Sequence, residues 1–106
     1  MPERHYQAKL IKRLRAEFDG CLILKNDSQY MQGIPDLIIL HGPYWAMLEI
    51  KADADAAFQP NQAYWISELN HMGYASFIYP EIEDEVFRDL QRTLEPRRTA
   101  RPAKRQ

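Results

Sequence analysis

The stretch Ile34-Pro35-Asp36-Leu37-Ile38-Ile39-Leu40-His41-Gly42-Pro43-Tyr44-Trp45-Ala46-Met47-Leu48-Glu49-Ile50-Lys51 decides how this chain folds. Residues 34–40 form a nearly continuous apolar run, the pattern of a central strand covered on both faces. His41-Gly42-Pro43 reads as a three-residue turn and 44–51 as the next strand, so the two make a β-hairpin. Into this apolar hairpin the sequence sets Asp36 at the start of one strand, and Glu49 and Lys51 near the end of the other. Side chains alternate along a strand, so Glu49 and Lys51 share a face while Leu48 and Ile50 point to the opposite one. Asp36, entering from the other end, can lie across from that pair.

Outward from the hairpin, Tyr6, Leu10, Leu14 and Phe18 recur every four residues with Ile11 beside them, predicting a helix over 3–18. Asp19-Gly20 ends it, the glycine suiting a left-handed cap. Residues 21–25 read as a short strand and the polar 26–33 as a loop. After the hairpin, 52–58 is a loop. Pro60 then sits where a first helical turn tolerates proline, opening a helix with Trp65, Ile66, Leu69 and Met72 as its buried face. Trp45, Tyr64 and Tyr74 are likewise expected mostly in the core. Gly73 stops the helix, 74–79 is a strand, and Ile82, Val86, Leu90 and Leu94 stripe a last helix whose acidic first turn suits the helix dipole. The order αβββαβα, with a helix between the third and fourth strands, implies a crossover. The fold class is therefore α/β: a mixed sheet of about four strands flanked by helices.

A chain of 106 residues, 45% hydrophobic and 27% charged, accommodates one globular domain with a modest core. We place that domain at residues 1–95, followed by a basic tail, 96–106, expected to stay disordered. No apolar run nears the roughly 20 residues of a membrane span, and the first residues lack the apolar stretch of a secretory signal. Cys21 is the single cysteine, so no intrachain disulfide forms; it is expected to be a packed thiol. A cytoplasmic location follows as the expectation. The net charge of −1 is unevenly spread: the tail holds five of the 14 basic residues and none of the 15 acidic ones, leaving the body near −6. Positive charge is otherwise concentrated on the first helix. Lys9, Lys12 and Arg13 there, with Arg97 and Arg98 of the tail, are the candidate nucleic-acid contacts.

Two carboxylates brought together and partly out of water repel each other and lose hydration. A divalent cation resolves the conflict, and hard oxygen ligands with partial hydration are what Mg²⁺ prefers. Asp36 and Glu49 are the candidate ligands, with the backbone carbonyl of Ile50 as a further donor. Lys51 supplies a cation able to position a metal-bound water and offset charge on an attacked phosphate. The histidines are too scattered to make a zinc site with Cys21. No glycine-rich phosphate loop is present, which argues against a nucleotide cofactor.

Gly33-Ile34-Pro35-Asp36-Leu37 followed by Leu48-Glu49-Ile50-Lys51 resembles the motif of the PD-(D/E)XK nuclease superfamily. The continuation Gln59-Pro60-Asn61-Gln62 with Trp65 is similar to its VRR-NUC branch, particularly stand-alone phage-type members, and Glu3 with Gln7 matches that branch's pattern at the first helix. The resemblance covers roughly residues 3–80. It implies a restriction-endonuclease-like core, phosphodiester hydrolysis with Mg²⁺ or Mn²⁺, Asp36 and Glu49 as ligands, and Lys51 as the water-positioning cation. It also implies Gln62 as a phosphate or supporting contact and Glu3 as an accessory carboxylate. A member this small resembles Holliday-junction resolvases, implying a homodimer acting on branched DNA, in a host cytoplasm if phage-encoded. Alternatives are a nickase or flap endonuclease with the same site, or a catalytically silent nucleic-acid-binding module; the complete motif argues against silence.

Overall fold

The computed structural model describes residues 2–27 and 29–97. Helix α1 (Glu3–Glu17) leads into β1 (Leu22–Lys25), β2 (Leu37–His41) and β3 (Tyr44–Ile50). Helix α2 (Pro60–Met72), strand β4 (Ala75–Ile78), a 3₁₀ turn (Pro80–Ile82) and α3 (Glu83–Leu94) complete the chain. The four strands form one sheet in the order β1-β2-β3-β4. The first three pair antiparallel, and β4 runs parallel to β3, so α2 is the crossover and the sheet is mixed. The α/β reading with its order of elements therefore holds.

One face of the sheet carries the core. Leu37, Ile39, Ala46, Leu48, Ile50 and Ile78 pack against Tyr6, Leu10, Leu14 and Phe18 of α1 and its C-terminal end, and against Val86, Phe87, Leu90 and Leu94 of α3. Each such side chain, fully withdrawn from water, contributes about 1.5–3 kcal/mol. The four-residue spacing in α1 and the stripe in α3 serve this one surface, which fixes the orientation of the hairpin between them. Cys21 packs at its edge, with burial raising its thiol pKa.

The opposite face is only partly covered, which corrects two expectations. Ile38 and Leu40 of β2 are half-buried, so the strand is not sealed on both sides. No residue of α2 is fully buried; Met72 is 69% exposed and Tyr64 56%. The cause is placement: α2 lies along β4 and β3 and leaves the β1–β2 half open. Leu22 and Leu24, paired across from Leu40 and Ile38, are accordingly exposed. The hairpin connection is also shorter than expected, since His41 pairs with Tyr44 and only Gly42 and Pro43 turn.

Candidate active site

Asp36 lies just before β2, one residue beyond the Leu37–Leu48 pair, which puts it beside Glu49 of β3. Its position is held at both ends. The Asn26 side chain donates to the Pro35 carbonyl, and the Asn26 N–H to the Asp36 carbonyl at 2.9 Å. On the side chain, Asp36 Oδ2 accepts the backbone N–H of Ile50 at 2.9 Å. Gly33, with φ +87°, supplies the left-handed turn that brings the chain to Pro35. A Cβ there would also lie 2.8–2.9 Å from Asn61, so the loop and the start of α2 are in direct contact.

Glu49 and Lys51 are the buried charged residues of the described structure, 4% and 6% exposed. Glu49 sits on the α2 side of the sheet, opposite the core face that takes Leu48 and Ile50. Its Oε2 accepts the Gln62 amide at 2.8 Å. Its Oε1 is buried without a hydrogen-bond partner among the described residues. A buried carboxylate oxygen without a partner is costly. Burial first, and then the neighbouring Asp36 carboxylate, push the Glu49 pKa up to about 8. Burial likewise raises Asp36, with the Ile50 N–H and Lys51 opposing. Glu3, exposed in the first turn of α1, is raised by burial and by Asp36 and lowered by Lys51, which brings it electrically into the same site.

Lys51 follows β3, anchored by its N–H to the Ile78 carbonyl at 2.9 Å. Its Nζ donates to the Ala57 carbonyl at 2.9 Å and to Gln62 Oε1 at 2.8 Å. The Phe58 and Phe77 rings, stacked at 4.4 Å, flank the ammonium at 5.2 and 6.0 Å. An ammonium has three donors, so one stays available to a water or a phosphate oxygen. Gln62 thus touches both charged residues of β3, and its Oε1 also accepts the Gln59 N–H at 3.0 Å in a capping box that starts α2.

No cluster of three or more His, Cys, Asp or Glu side chains able to hold a metal exists among the described residues. A cation here would rest on Asp36 and Glu49 with a backbone carbonyl and water. That set of hard oxygens fits Mg²⁺ or Mn²⁺, which commonly keep several waters beside one or two carboxylates. It does not fit a closed zinc site. The Glu49 Oε1, without a hydrogen-bond partner among the described residues and next to the Asp36 carboxylate, is a point that a cation would satisfy.

The basic candidates divide. Lys9 and Lys12 are exposed on α1, and Arg97 is exposed after α3. Arg13 is partly exposed and engaged in ion pairs: its guanidinium bonds Glu17 and Glu83 at 2.7 Å and Asp84 at 2.9 Å, and lies 3.8 Å over the Phe87 ring. Its Nε and Nη1 are engaged by three carboxylates, and the side chain ties α1 to α3. Arg98 and the remaining tail lie outside the described residues; Pro96 and Arg97 are helical. Sequence reasoning missed Asn26, the Ala57 carbonyl and the Phe58–Phe77 pair. Asn26 had a weak signal, as a side-chain amide opening a polar loop ahead of Pro35. A backbone carbonyl has none.

No helix of the described residues is long and apolar enough to cross a membrane. No protein-family model matches the sequence, and no curated protein is significantly similar to it. Solved structures are. A "VRR_NUC domain protein" superposes with a TM-score of 0.64 at 22% identity, covering 90% of this chain and 89% of that one. A "VRR_NUC domain" superposes with a TM-score of 0.58 at 21% identity, over 76% of this chain and 92% of that one. At these identities the likeness is one of fold, and it spans nine-tenths of this chain in the first case and three-quarters in the second.

Proposed function

We propose that this chain is a divalent-metal-dependent nuclease of the VRR-NUC branch of the PD-(D/E)XK superfamily, hydrolysing DNA phosphodiester bonds. One observation carries the reading: the half-buried Asp36 carboxylate and the buried Glu49 carboxylate converge beside a buried lysine, and one oxygen of Glu49 has no hydrogen-bond partner among the described residues. The shared fold with VRR_NUC domains supports it. Asp36 and Glu49, with the Ile50 carbonyl, would hold Mg²⁺ or Mn²⁺. Such an ion supplies Lewis-acid activation of the phosphate and lowers the pKa of bound water.

The chain's own residues do the rest. The Ile50 N–H orients Asp36, and the Gln62 amide orients Glu49, which sets the two carboxylates side by side. Lys51, fixed by Ala57 and Gln62, directs its remaining N–H at the attacking water or the phosphate and offsets negative charge as it builds up. Phe58 and Phe77 keep bulk water from the ammonium on one side, strengthening that field. Glu3 at the rim accepts a proton or a water hydrogen bond. Lys9, Lys12 and Arg97, with Arg98, contact the DNA backbone.

For substrate and assembly we propose four-way junctions cut by a homodimer in the cytoplasm, with residues 1–95 as the nuclease domain. The open apolar half-face supports a second copy. Leu22 and Leu24 are exposed there beside a groove of about 520 Å³ lined by Tyr30, Met31, Ile34, Ile38 and Met47, with Asn26 and Asp27. Two copies would bring two basic α1 helices to one DNA, overcoming the acidic body. The test is a Mg²⁺ titration on supercoiled plasmid and a synthetic junction with wild type, Asp36→Asn and Lys51→Ala. Equal cutting by all three proteins sinks the site assignment. Junction binding without cutting by the wild type favours a silent binding module. Cutting of linear duplex as fast as junctions, or a monomer by gel filtration, rejects the resolvase reading in favour of a nickase or flap endonuclease.

A further inference from the structure

Beside the carboxylates, a cleft of about 480 Å³ opens between the loop ahead of Gly33 and the first turn of α2. Its lining is chemically uniform: Gln29, Gln32, Gln59, Asn61 and Gln62, with Gly33 between them. Five carboxamides line it, and no ionisable or aromatic side chain does. The volume lies in the range of built ligand sites, roughly 300–1,000 Å³. The glycine lets the loop pack directly on the first turn of α2 at the edge of this cleft, since a side chain at 33 would meet Asn61. Gln62 belongs to both the cleft and the site, so whatever fills the cleft lies next to the reacting bond.

What such a lining can recognise follows from its donors and acceptors. Amide side chains can donate to a phosphate oxygen, but the affinity of a phosphate track comes from Lys and Arg, and the lining carries no positive charge. An unpaired, unstacked base asks for an aromatic platform, which the lining lacks. Carboxamides instead match the edge of a base still in its stack. One amide can donate to adenine N7 while accepting from its N6 amino group in the major groove. We propose that this cleft is a base-reading subsite that takes an adenine edge next to the scissile phosphate, with Gln29 and Gln32 as the readers. This rests on the nuclease reading of the neighbouring site. It gives the chain a sequence preference in addition to any preference for branched structure.

The two readers are exposed and make no core contact, so their removal leaves the fold intact. The probe is a synthetic junction with randomised base pairs around the crossover, cut by the full chain in Mg²⁺ and bound by it in Ca²⁺. Wild type is expected to enrich adenine about tenfold at one position beside the cut, the discrimination a bidentate amide contact gives. In Gln29→Ala/Gln32→Ala the enrichment falls below about twofold, while cutting of the pooled junctions stays within about threefold. Placing 7-deazaadenine at the preferred position slows wild type and leaves the double variant unchanged. A flat wild-type profile, or one unaltered in the double variant, overturns the subsite while leaving the nuclease reading in place. Adenine-selective binding in Ca²⁺ without cutting in Mg²⁺ or Mn²⁺ upholds the subsite and overturns the nuclease reading. Neither binding nor cutting overturns both.

Discussion

The backbone N–H of Ile50 bonds the carboxylate of Asp36 at 2.9 Å, so the strand carrying Glu49 also fixes the direction of the other acid. The two carboxylates are therefore set by the hairpin register and by two hydrogen bonds, from the Ile50 N–H to Asp36 and from the Gln62 amide to Glu49. Asp36→Asn keeps the shape and the bond to Ile50, and removes the charge. It should cut hydrolysis at least about 10²-fold and leave the metal-free melting temperature unchanged or raised, because a desolvated acid has been neutralised. Nuclease rates and thermal melts of the same preparation check both halves. A large fall in stability would mean that the carboxylate is structural.

The Glu49 pKa of about 8, raised by burial and by Asp36, makes a signed prediction for stability. The folded state holds this proton more tightly than the unfolded chain, whose glutamates release it near the ordinary value of 4.5. Stability from this group is fully present below that value and is lost as pH rises through about 8. Metal-free protein should therefore melt progressively lower between about pH 5 and pH 9. Each kcal/mol moves the midpoint by about 4–8 °C in a domain this small. Glu49→Gln should flatten the slope.

Mg²⁺ or Mn²⁺ should reverse that loss. A ligand bound only by the folded state stabilises by about 2.7 kcal/mol at a hundred times its dissociation constant. The expected upward shift in melting temperature grows with pH and disappears in Asp36→Asn. A shift of equal size in that variant would place the ion elsewhere.

Gln62 touches Lys51, Glu49 and the Gln59 N–H, so Gln62→Ala removes three contacts at once. Loss of the cap should cost about 0.5–2 kcal/mol, and misplacement of Lys51 about 10²-fold in kcat. Gln62→Glu keeps an acceptor for Lys51 and the cap but sets a third carboxylate against Glu49. It should retain stability better than alanine at acidic pH and lose that advantage as pH rises.

Arg13 and Lys12 stand one residue apart and should behave oppositely. Arg13→Ala frees Glu17, Glu83 and Asp84 and uncovers Phe87; discounted for partial exposure, the cost is about 1–2 kcal/mol. The salt dependence of DNA binding should hardly move. Lys12→Ala should leave stability alone and flatten the log–log salt slope by about 0.9.

What the sequence made legible was whatever is written in periodicity and local chemistry. The four-residue stripe of α1, the Pro60 start of α2 and the alternation that separates Glu49 and Lys51 from Leu48 and Ile50 all correspond to the structure. What it hid depends on how elements pack at a distance. Met72 has the same spacing as a buried residue, but α2 covers only the β3–β4 half of the sheet face and none of its residues is fully buried. Arg13 looks like its exposed neighbours until α3 brings Glu83 and Asp84 beside it. The hold on Lys51 by the Ala57 carbonyl carries no side-chain signature at all.

Those two contacts of Lys51 close the chain on itself between residues 51 and 62. Residues 52–56 then form an outward bulge whose ends are pinned, and lengthening such a bulge costs little, about 0.6 kcal/mol for each doubling. From Ala57 to Gln62 the opposite holds, because one added residue would move either the carbonyl or the carboxamide off the ammonium. Length variation is thus tolerated on one side of Ala57 and forbidden on the other. The first side offers a place to graft a peptide or a reporter without altering the chemistry next to it.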